Sequence, residues 1–468
     1  MAEKKNNSLG YLAVIYMIGN FSSKILSFIL VFFMTYFLSK EEIGEYDLIL
    51  TSVSFIVPCV SLLIDNSLLR WLLDPDFENK KDEIFANTFN LLFINILLYT
   101  IIYWISSLFF SWNYRGLIYV YSINMILYPT ILQGTRGLGK NKLYATISIF
   151  YSFFYVMLTF VSLYFFKSSI EGVLLANIIA LFITIIRLLI QNGWGRYLKP
   201  IKPNFALLKS MSNYSLPLLP NTLSWWFISA STRYMILAYL GKEFNGLFAI
   251  SYKVPTIILV VTSVFTLAWQ EKAIRTIDDN ESVTIFNSVL KKYIKLILGI
   301  VIILGACSKF IMNFVSSEYY ESWKYIPILL FAVFFQAISG FYGAGYLRAK
   351  KTKGIFYSSI IGGLVTVIIS FFLVKPYGLY GVSWAILLGY FVLFLYRAIH
   401  IKKFLTIKFP TTLLITMTFL YMIIVSLLKL ENKFVFPISL ALSIIIFFYY
   451  NYNYLNIIKS KIDSKWRK

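Results

Sequence analysis

Four charged side chains lie where charge is expensive. Lys24, Asp65, Arg233 and Lys253 each fall inside a long apolar run of this 468-residue chain. A basic group at the centre of a bilayer costs roughly 2.5–3.5 kcal/mol on insertion scales, so such residues face protein or a water-filled cavity and usually carry function. Lys24 lies about 20 Å from the inner end of its run at ~1.5 Å per residue, too far for easy snorkelling. Its neighbours Gly19, Asn20, Ser22 and Ser23 are small or polar. Arg233 sits in SASTRYMIL beside Ser229, Ser231 and Thr232, and Lys253 sits in AISYKVPT, two residues before Pro255. Three cations projecting into one cavity would suit an anionic substrate such as a phosphate or pyrophosphate. The plainer alternative is structural pairing, with Asp65 reaching Lys24. Asp65 is also the one carboxylate placed to couple to an ion.

The elements that must position these residues follow from composition. The chain is 59% hydrophobic and 19% aromatic, with only 14% charged residues and a mean hydropathy of +0.73. A soluble domain would carry roughly a quarter charged residues. A helix needs about 20 mostly apolar residues to cross a bilayer core. Fourteen stretches qualify, near 10–38, 46–70, 84–110, 116–134, 143–166, 170–191, 211–240, 246–271, 286–314, 324–346, 354–374, 379–400, 409–429 and 434–456. The expected fold is therefore an all-α polytopic membrane protein without a sizeable soluble domain. The first stretch is too long for a cleaved signal peptide and is followed by no cleavage site. Cys59 and Cys307 lie in apolar spans and read as small packing residues.

The net charge of +22 reflects topology. With the N-terminus cytoplasmic, the inward connections and both tails carry 31 basic residues and the outward connections nine. That is a strong positive-inside bias, and it attracts anionic lipid. No nucleic-acid partner is expected. The localisation implied is a bacterial cytoplasmic membrane, multi-pass, with both termini cytoplasmic.

The chain also repeats itself. LSKEEIG (Leu38–Gly44) resembles LGKEFNG (Leu240–Gly246), and RGLGKNKLY (Arg136–Tyr144) resembles RAKKTKGIFY (Arg348–Tyr357). EGVLLA (Glu171–Ala176) likewise resembles YGVSWA (Tyr380–Ala385). Matches in order at a nearly constant offset point to two six-helix lobes, 1–200 and 201–405, followed by helices 13 and 14 (406–456) and a basic tail (457–468). An even number of helices per copy makes the repeat parallel, as in many secondary transporters, with the substrate path between the halves. Span seven contains Pro217 and Pro220, which should kink it. Gly19 and Asn20 occupy the corresponding place in span one. Each half would thus open with a bendable helix carrying a basic residue.

Other motifs carry little. GTRGLGKN (Gly134–Asn141) approaches a phosphate-binding loop, but Asn141 stands where Ser or Thr is needed, and a membrane helix precedes it where a strand is required. Asp74-Pro-Asp76 has the form of a metal-binding sugar-transferase motif in a loop too short for such a domain. The single histidine, His400, rules out a multi-histidine metal site. No metal or cofactor is expected, and no catalytic residue.

Two longer segments carry a family resemblance. FSSKILSFILVFFMTYFLSKEEIGEYDLILTSVSFIVP (Phe21–Pro58) resembles the opening of the bacterial polysaccharide-exporter flippases. YSLPLLPNTLSWWFISASTRYMILAYLGKEFNGLFAISYKVP (Tyr214–Pro255) resembles the start of that family's second half. These proteins belong to the multidrug/oligosaccharidyl-lipid/polysaccharide exporter superfamily, and the resemblance spans essentially the whole chain. It implies movement of undecaprenyl-pyrophosphate-linked oligosaccharide from the inner to the outer leaflet by alternating access, for capsule, exopolysaccharide or O-antigen. A polysaccharide polymerase and other assembly proteins would be partners, alongside membrane lipids. It further implies a cation-rich cavity between lobes, furnished here by Lys24, Arg233 and Lys253. One departure is Thr232-Arg233, where the family commonly has Asp-Arg. A multidrug or cation antiporter of the same superfamily is the first rival, and it would call for an acidic cavity. A membrane-embedded polysaccharide polymerase or ligase is the second, and it would call for a large external loop.

Overall fold

The computed structural model describes residues 9–466 apart from 111–112, 195–202, 276–278, 350, 352 and 431–433. Lys4, Lys5 and the last two residues of the basic tail therefore lie outside the described residues. Every regular element among the described residues is helical.

The first compact unit spans Met1–Phe227. It contains α1 (Leu9–Met34), α2 (Lys40–Ser61), α3 (Ile64–Leu72), α4 (Lys81–Phe109), α5 (Arg115–Gly137), α6 (Asn141–Tyr164), α7 (Ile170–Asn192), α8 (Phe205–Ser215) and the opening turns of α9 (Leu219–Tyr239). The second unit, Ile228–Lys468, holds the rest of α9 and α10 (Lys242–Arg275), α11 (Asp279–Ala306), the short α12 (Ser308–Met312) and α13 (Ile326–Arg348). It closes with α14 (Lys353–His400), α15 (Thr411–Leu427) and α16 (Val435–Trp466). Eight helices among the described residues are long and apolar enough to cross a membrane. With backbone polar groups satisfied internally, as lipid requires, this is a multi-pass membrane protein.

Helix starts follow local chemistry. Ser39 caps α2: its hydroxyl accepts from the Glu42 amide at 3.2 Å while the Glu42 carboxylate accepts from the Ser39 amide at 2.9 Å, a reciprocal capping box. In α14 the chain reverses at Gly378 (φ 54°, ψ −135°), a conformation open to glycine alone at low cost, and this divides the element into two arms. Those arms touch through Gly362 and Gly389. A Cβ on Gly389 would stand 2.8 Å from the Gly362 carbonyl oxygen, the close backbone approach that small residues permit between membrane helices.

Packing within each unit repeats. In the first, α2 packs on α5 and α5 on α7; in the second, α10 packs on α13 and α13 on α14. The boundary between compact units falls later than the repeat boundary of 200/201. Residues 203–227 are tied to the first unit by specific bonds. The Asn204 amide donates to Asn87 Oδ1 at 2.7 Å and its side chain to Glu83 Oε1 at 2.6 Å. Ser67 donates to the Met211 carbonyl at 2.6 Å, and the Trp226 indole N–H donates to the Thr51 carbonyl at 3.0 Å.

Candidate functional site

Span two is broken about two thirds of the way along its length. Pro58 lies inside α2, where it offers no N–H to the carbonyl of Ser54. Directly after α2 ends at Ser61 come Leu62 (φ 52°, ψ 25°) and Leu63 (φ 54°, ψ 31°), both left-handed, before α3 begins at Ile64. Two successive leucines in this region cost about 1–2 kcal/mol each, and strain of this kind concentrates at functional and switching sites. The Ser61 hydroxyl accepts from the Leu63 amide at 3.2 Å and holds the step. In an ordinary helix interior glycine is about 1 kcal/mol worse than alanine. At Leu62 the order should invert: Leu62→Gly is expected to melt above Leu62→Ala by roughly 1 kcal/mol, as read from thermal denaturation of the two detergent-purified variants. Equal melting, or the usual order, would show the left-handed step to be free of strain.

Asp65 lies in the first turn of α3, where its carboxylate accepts backbone N–H bonds from its own residue and Asn66. It borders a half-open cavity of about 250 Å³ within the first unit. Ser54, Pro58 and Ser61 of α2, Thr130 of α5 and Thr222 of α9 share that wall. Thr130 is fully buried, and its hydroxyl has no hydrogen-bond partner. Sequence reasoning reached Asp65 but missed the left-handed pair and Thr130. Pro58 was the available signal for the first; nothing local marks the second.

The three cations divide between the units. Lys24, on α1 in the first unit, is exposed. One turn further on, Ser27 is exposed as well and donates to the Ser23 carbonyl at 3.0 Å. Among the described residues no ion pair joins Lys24 to Asp65: α1 packs against α6, whereas α3 packs against α4, α5 and α8. Arg233, on α9 in the second unit, is 9% exposed. Its guanidinium lies over the rings of Tyr252 and Phe248 of α10, at 5.2 and 5.6 Å from their centroids. Such stacking suits a planar, weakly hydrated cation. Lys253, half-buried, follows Tyr252 directly on α10, so Arg233 and Lys253 belong to neighbouring helices.

The expected flexible points differ from one another. Span seven is interrupted between Ser215 and Leu219 by a 3₁₀ turn, Leu216–Leu218, that holds Pro217, and Pro220 follows in the first turn of α9. The backbone of α1, by contrast, is helical straight through Gly19 and Asn20. The interruption in the first unit sits one helix later, at Leu62–Leu63.

The discarded motifs have structural work. In the glycine-rich run, a Cβ on Gly137 would stand 2.6 Å from Leu72, so the glycine allows α5 to approach α3. Gly139 (φ 78°) makes the turn into α6, and Lys140 donates to the Gln191 carbonyl at 2.6 Å near the end of α7. Asp74 accepts from the Asp76 amide at 3.2 Å and pairs with Arg70 at 3.1 Å, which makes it a cap. Arg397 is the larger surprise. At the end of a span it reads as an interfacial charge, yet it is 1% exposed inside the second unit.

A family model described as "Polysaccharide biosynthesis protein" matches residues 12–270. Among solved structures, the lipid II flippase MurJ in an inward closed conformation superposes with a TM-score of 0.69 at 16% identity, covering 95% of this chain and 100% of that one. An inward-facing multidrug resistance MATE transporter of the MOP superfamily gives 0.67 at 13% identity, over 84% and 98% of the two chains. A MOP superfamily transporter from Pyrococcus furiosus, described as having a binding pocket of reversed polarity, gives 0.60 at 12% over 84% and 94%. These likenesses establish the fold, an all-helical MurJ- and MATE-like membrane architecture. No curated protein matches the chain in sequence.

Proposed function

The chain belongs to the polysaccharide biosynthesis protein family, and from that premise we propose that it flips undecaprenyl-pyrophosphate-linked oligosaccharide from the inner to the outer leaflet of a bacterial cytoplasmic membrane. The family match carries the reading. A chain made of membrane helices contributes to polysaccharide synthesis most directly by moving a sugar intermediate across the bilayer. The glycan would feed capsule, exopolysaccharide or O-antigen, with a polymerase and other assembly proteins downstream. The proposal counts fourteen crossings, two six-helix repeats plus a final pair, with both termini cytoplasmic.

Lys24, Arg233 and Lys253 are proposed to attract the pyrophosphate, Lys24 and Lys253 as point charges and Arg233 as a fork. Exposure of Lys24 supports its role. Arg233 is held against Tyr252 and Phe248, so it would contribute field, or turn from the rings as substrate enters. The interruptions at Pro217 and at Leu62–Leu63 would let the two repeats bend as access alternates. The lipid tail stays in the bilayer while the glycan crosses.

The test is the leaflet distribution of labelled lipid-linked oligosaccharide in cells depleted of the protein. Oligosaccharide should accumulate on the inner leaflet, with outward appearance falling at least about tenfold and returning on re-expression. Normal outward appearance in a strain with no redundant flippase overturns the reading.

A further inference from the structure

The last helix of the second unit carries a stripe that changes character along its length. α16 packs on α11, where a Cβ on Gly299 would stand 2.6 Å from the Phe447 ring. One turn along, Asn451 donates to the Lys295 carbonyl at 3.4 Å, so the two helices run antiparallel. Beside this seam lies an open pocket of about 540 Å³, bordered by Lys295 of α11 and by residues of α16 between 444 and 452. Ile444, Phe448 and Tyr452 follow one another at four-residue spacing, and Ile445 and Tyr449 form the adjoining row. The wall therefore passes from aliphatic to phenolic toward the C-terminal end of α16. Lys295, half-buried, is level with the phenols, and its ammonium stands 5.9 Å from the centroid of the Tyr450 ring. Two further markers put this end at the edge of the apolar layer. The apolar span of α16 closes at Tyr452, and Lys295 is the last of three lysines before the unbroken apolar run of α11. Tyrosine and lysine are the residues that anchor helices at that depth. Among the described residues no carboxylate lines the pocket.

We propose that this pocket holds one anionic phospholipid, with its phosphate at Lys295 and one acyl chain along Ile444, Ile445 and Phe448. The phenols of Tyr449 and Tyr452 supply further donors to the phosphate, and a donor that meets an ionised group makes the stronger kind of hydrogen bond. Basic pockets between membrane helices are suited to anionic headgroups. A lipid fits better than a soluble phosphate because half of the wall is apolar and open: Ile445 is 61% exposed and Phe448 50%. An anionic headgroup fits better than a zwitterionic one because no carboxylate is there to receive an ammonium. The bound lipid would bridge α11 and α16 and fasten the last helix to its unit. The assignment stands independently of the flippase reading.

The experiment is native mass spectrometry of the full-length protein in detergent, titrated with phosphatidylglycerol or with phosphatidylcholine of identical chains. One saturating phosphatidylglycerol adduct is expected, at least about tenfold tighter than any phosphatidylcholine adduct, the effect of one contact between charged groups. Lys295→Gln should remove the preference and Lys295→Arg should keep it. Lys402→Gln, which makes the same change in net charge at an exposed site outside the pocket, should leave it intact. Ile445→Trp fills the apolar half without touching the charge and should weaken the adduct as well. Equal affinity for the two lipids overturns the proposal, and so does a preference that survives Lys295→Gln; either result describes ordinary boundary lipid. Glycerol 3-phosphate at millimolar concentration should not compete. Competition would make a soluble phosphate the ligand and overturn the assignment to lipid. Should Lys295→Gln fail to purify as a single species, Ile445→Trp decides: an unchanged adduct in that variant places the lipid elsewhere.

Discussion

Arg397→Ala is expected to destabilise the second unit by about 3–5 kcal/mol, through unpaired acceptors and a large cavity together. Arg397 Nε donates to Ser358 Oγ at 2.8 Å and Nη1 donates to the Ser339 carbonyl at 2.7 Å. Nη2 lies 3.4 Å from both the Ile355 carbonyl and Ser359 Oγ. Ser358 and Ser359 each donate their own proton to Ile355 O, at 2.7 and 3.0 Å, so their oxygens are free to accept from the guanidinium. Ser339 likewise donates to the Phe335 carbonyl at 2.7 Å. The fork thus links α13 to both arms of α14 through acceptors in three directions. Lysine carries the same charge but only one nitrogen, and it cannot span those directions at once. Arg397→Lys should therefore recover only part of the loss. Thermal denaturation of detergent-purified protein, read by intrinsic fluorescence, supplies the check. Wild-type melting of Arg397→Ala would mean that water replaces the guanidinium without penalty.

The contrast between Arg397 and Lys24 shows what a linear chain reveals. Apolar runs of helical length mark spans because lipid leaves the backbone no other choice, and the stretches read from the sequence lie mainly on helix, with 46–70, 211–240 and 286–314 each interrupted. The membrane class was accessible for that reason, and the fold only through the resemblance carried by Phe21–Pro58 and Tyr214–Pro255. Lys24 stood out because its surroundings in sequence are apolar. Arg397 did not, since a basic residue at the end of a span is the commonest interfacial feature. Its burial depends on Ser339, Ser358 and Ser359, which lie about 40 to 60 positions away. The same holds for the cavity by Asp65, where Thr130 arrives from a different helix. Left-handed φ at Leu62 and Leu63 was legible only as far as Pro58 announced an interruption: leucine is poorly suited to that conformation, and the surrounding packing imposes it. The glycine-rich run shows the reverse error, a local pattern suggestive of phosphate whose glycines serve close helix contact and a turn. Where a property depends on neighbours within a turn or two the chain displays it; where it depends on which helices pack together it does not.

Lys24→Glu is expected to reduce outward movement of lipid-linked oligosaccharide by roughly 10- to 100-fold at unchanged protein level in the membrane. A contact to a charged group contributes about 1.5–3 kcal/mol, and reversal of sign adds repulsion to the loss. The residue's exposure matters here, because a substitution on an exposed face leaves packing nearly intact. The absence of an ion pair to Asp65 matters as well: no buried carboxylate is stranded when the ammonium is removed. A structural lysine and a substrate-attracting one then predict different series. If Lys24 acts through charge, Lys24→Arg should keep most activity, Lys24→Gln should lose roughly tenfold, and Lys24→Glu should lose most, with thermal stability flat throughout. If it acts through packing, arginine and glutamine should both lower the melting temperature, and activity should follow stability and not charge. The leaflet assay and a melting curve on the same four proteins separate these outcomes. Full activity of Lys24→Glu at normal membrane level would remove the residue from substrate binding altogether, and with it the proposal that the first unit contributes a cation to the pyrophosphate path.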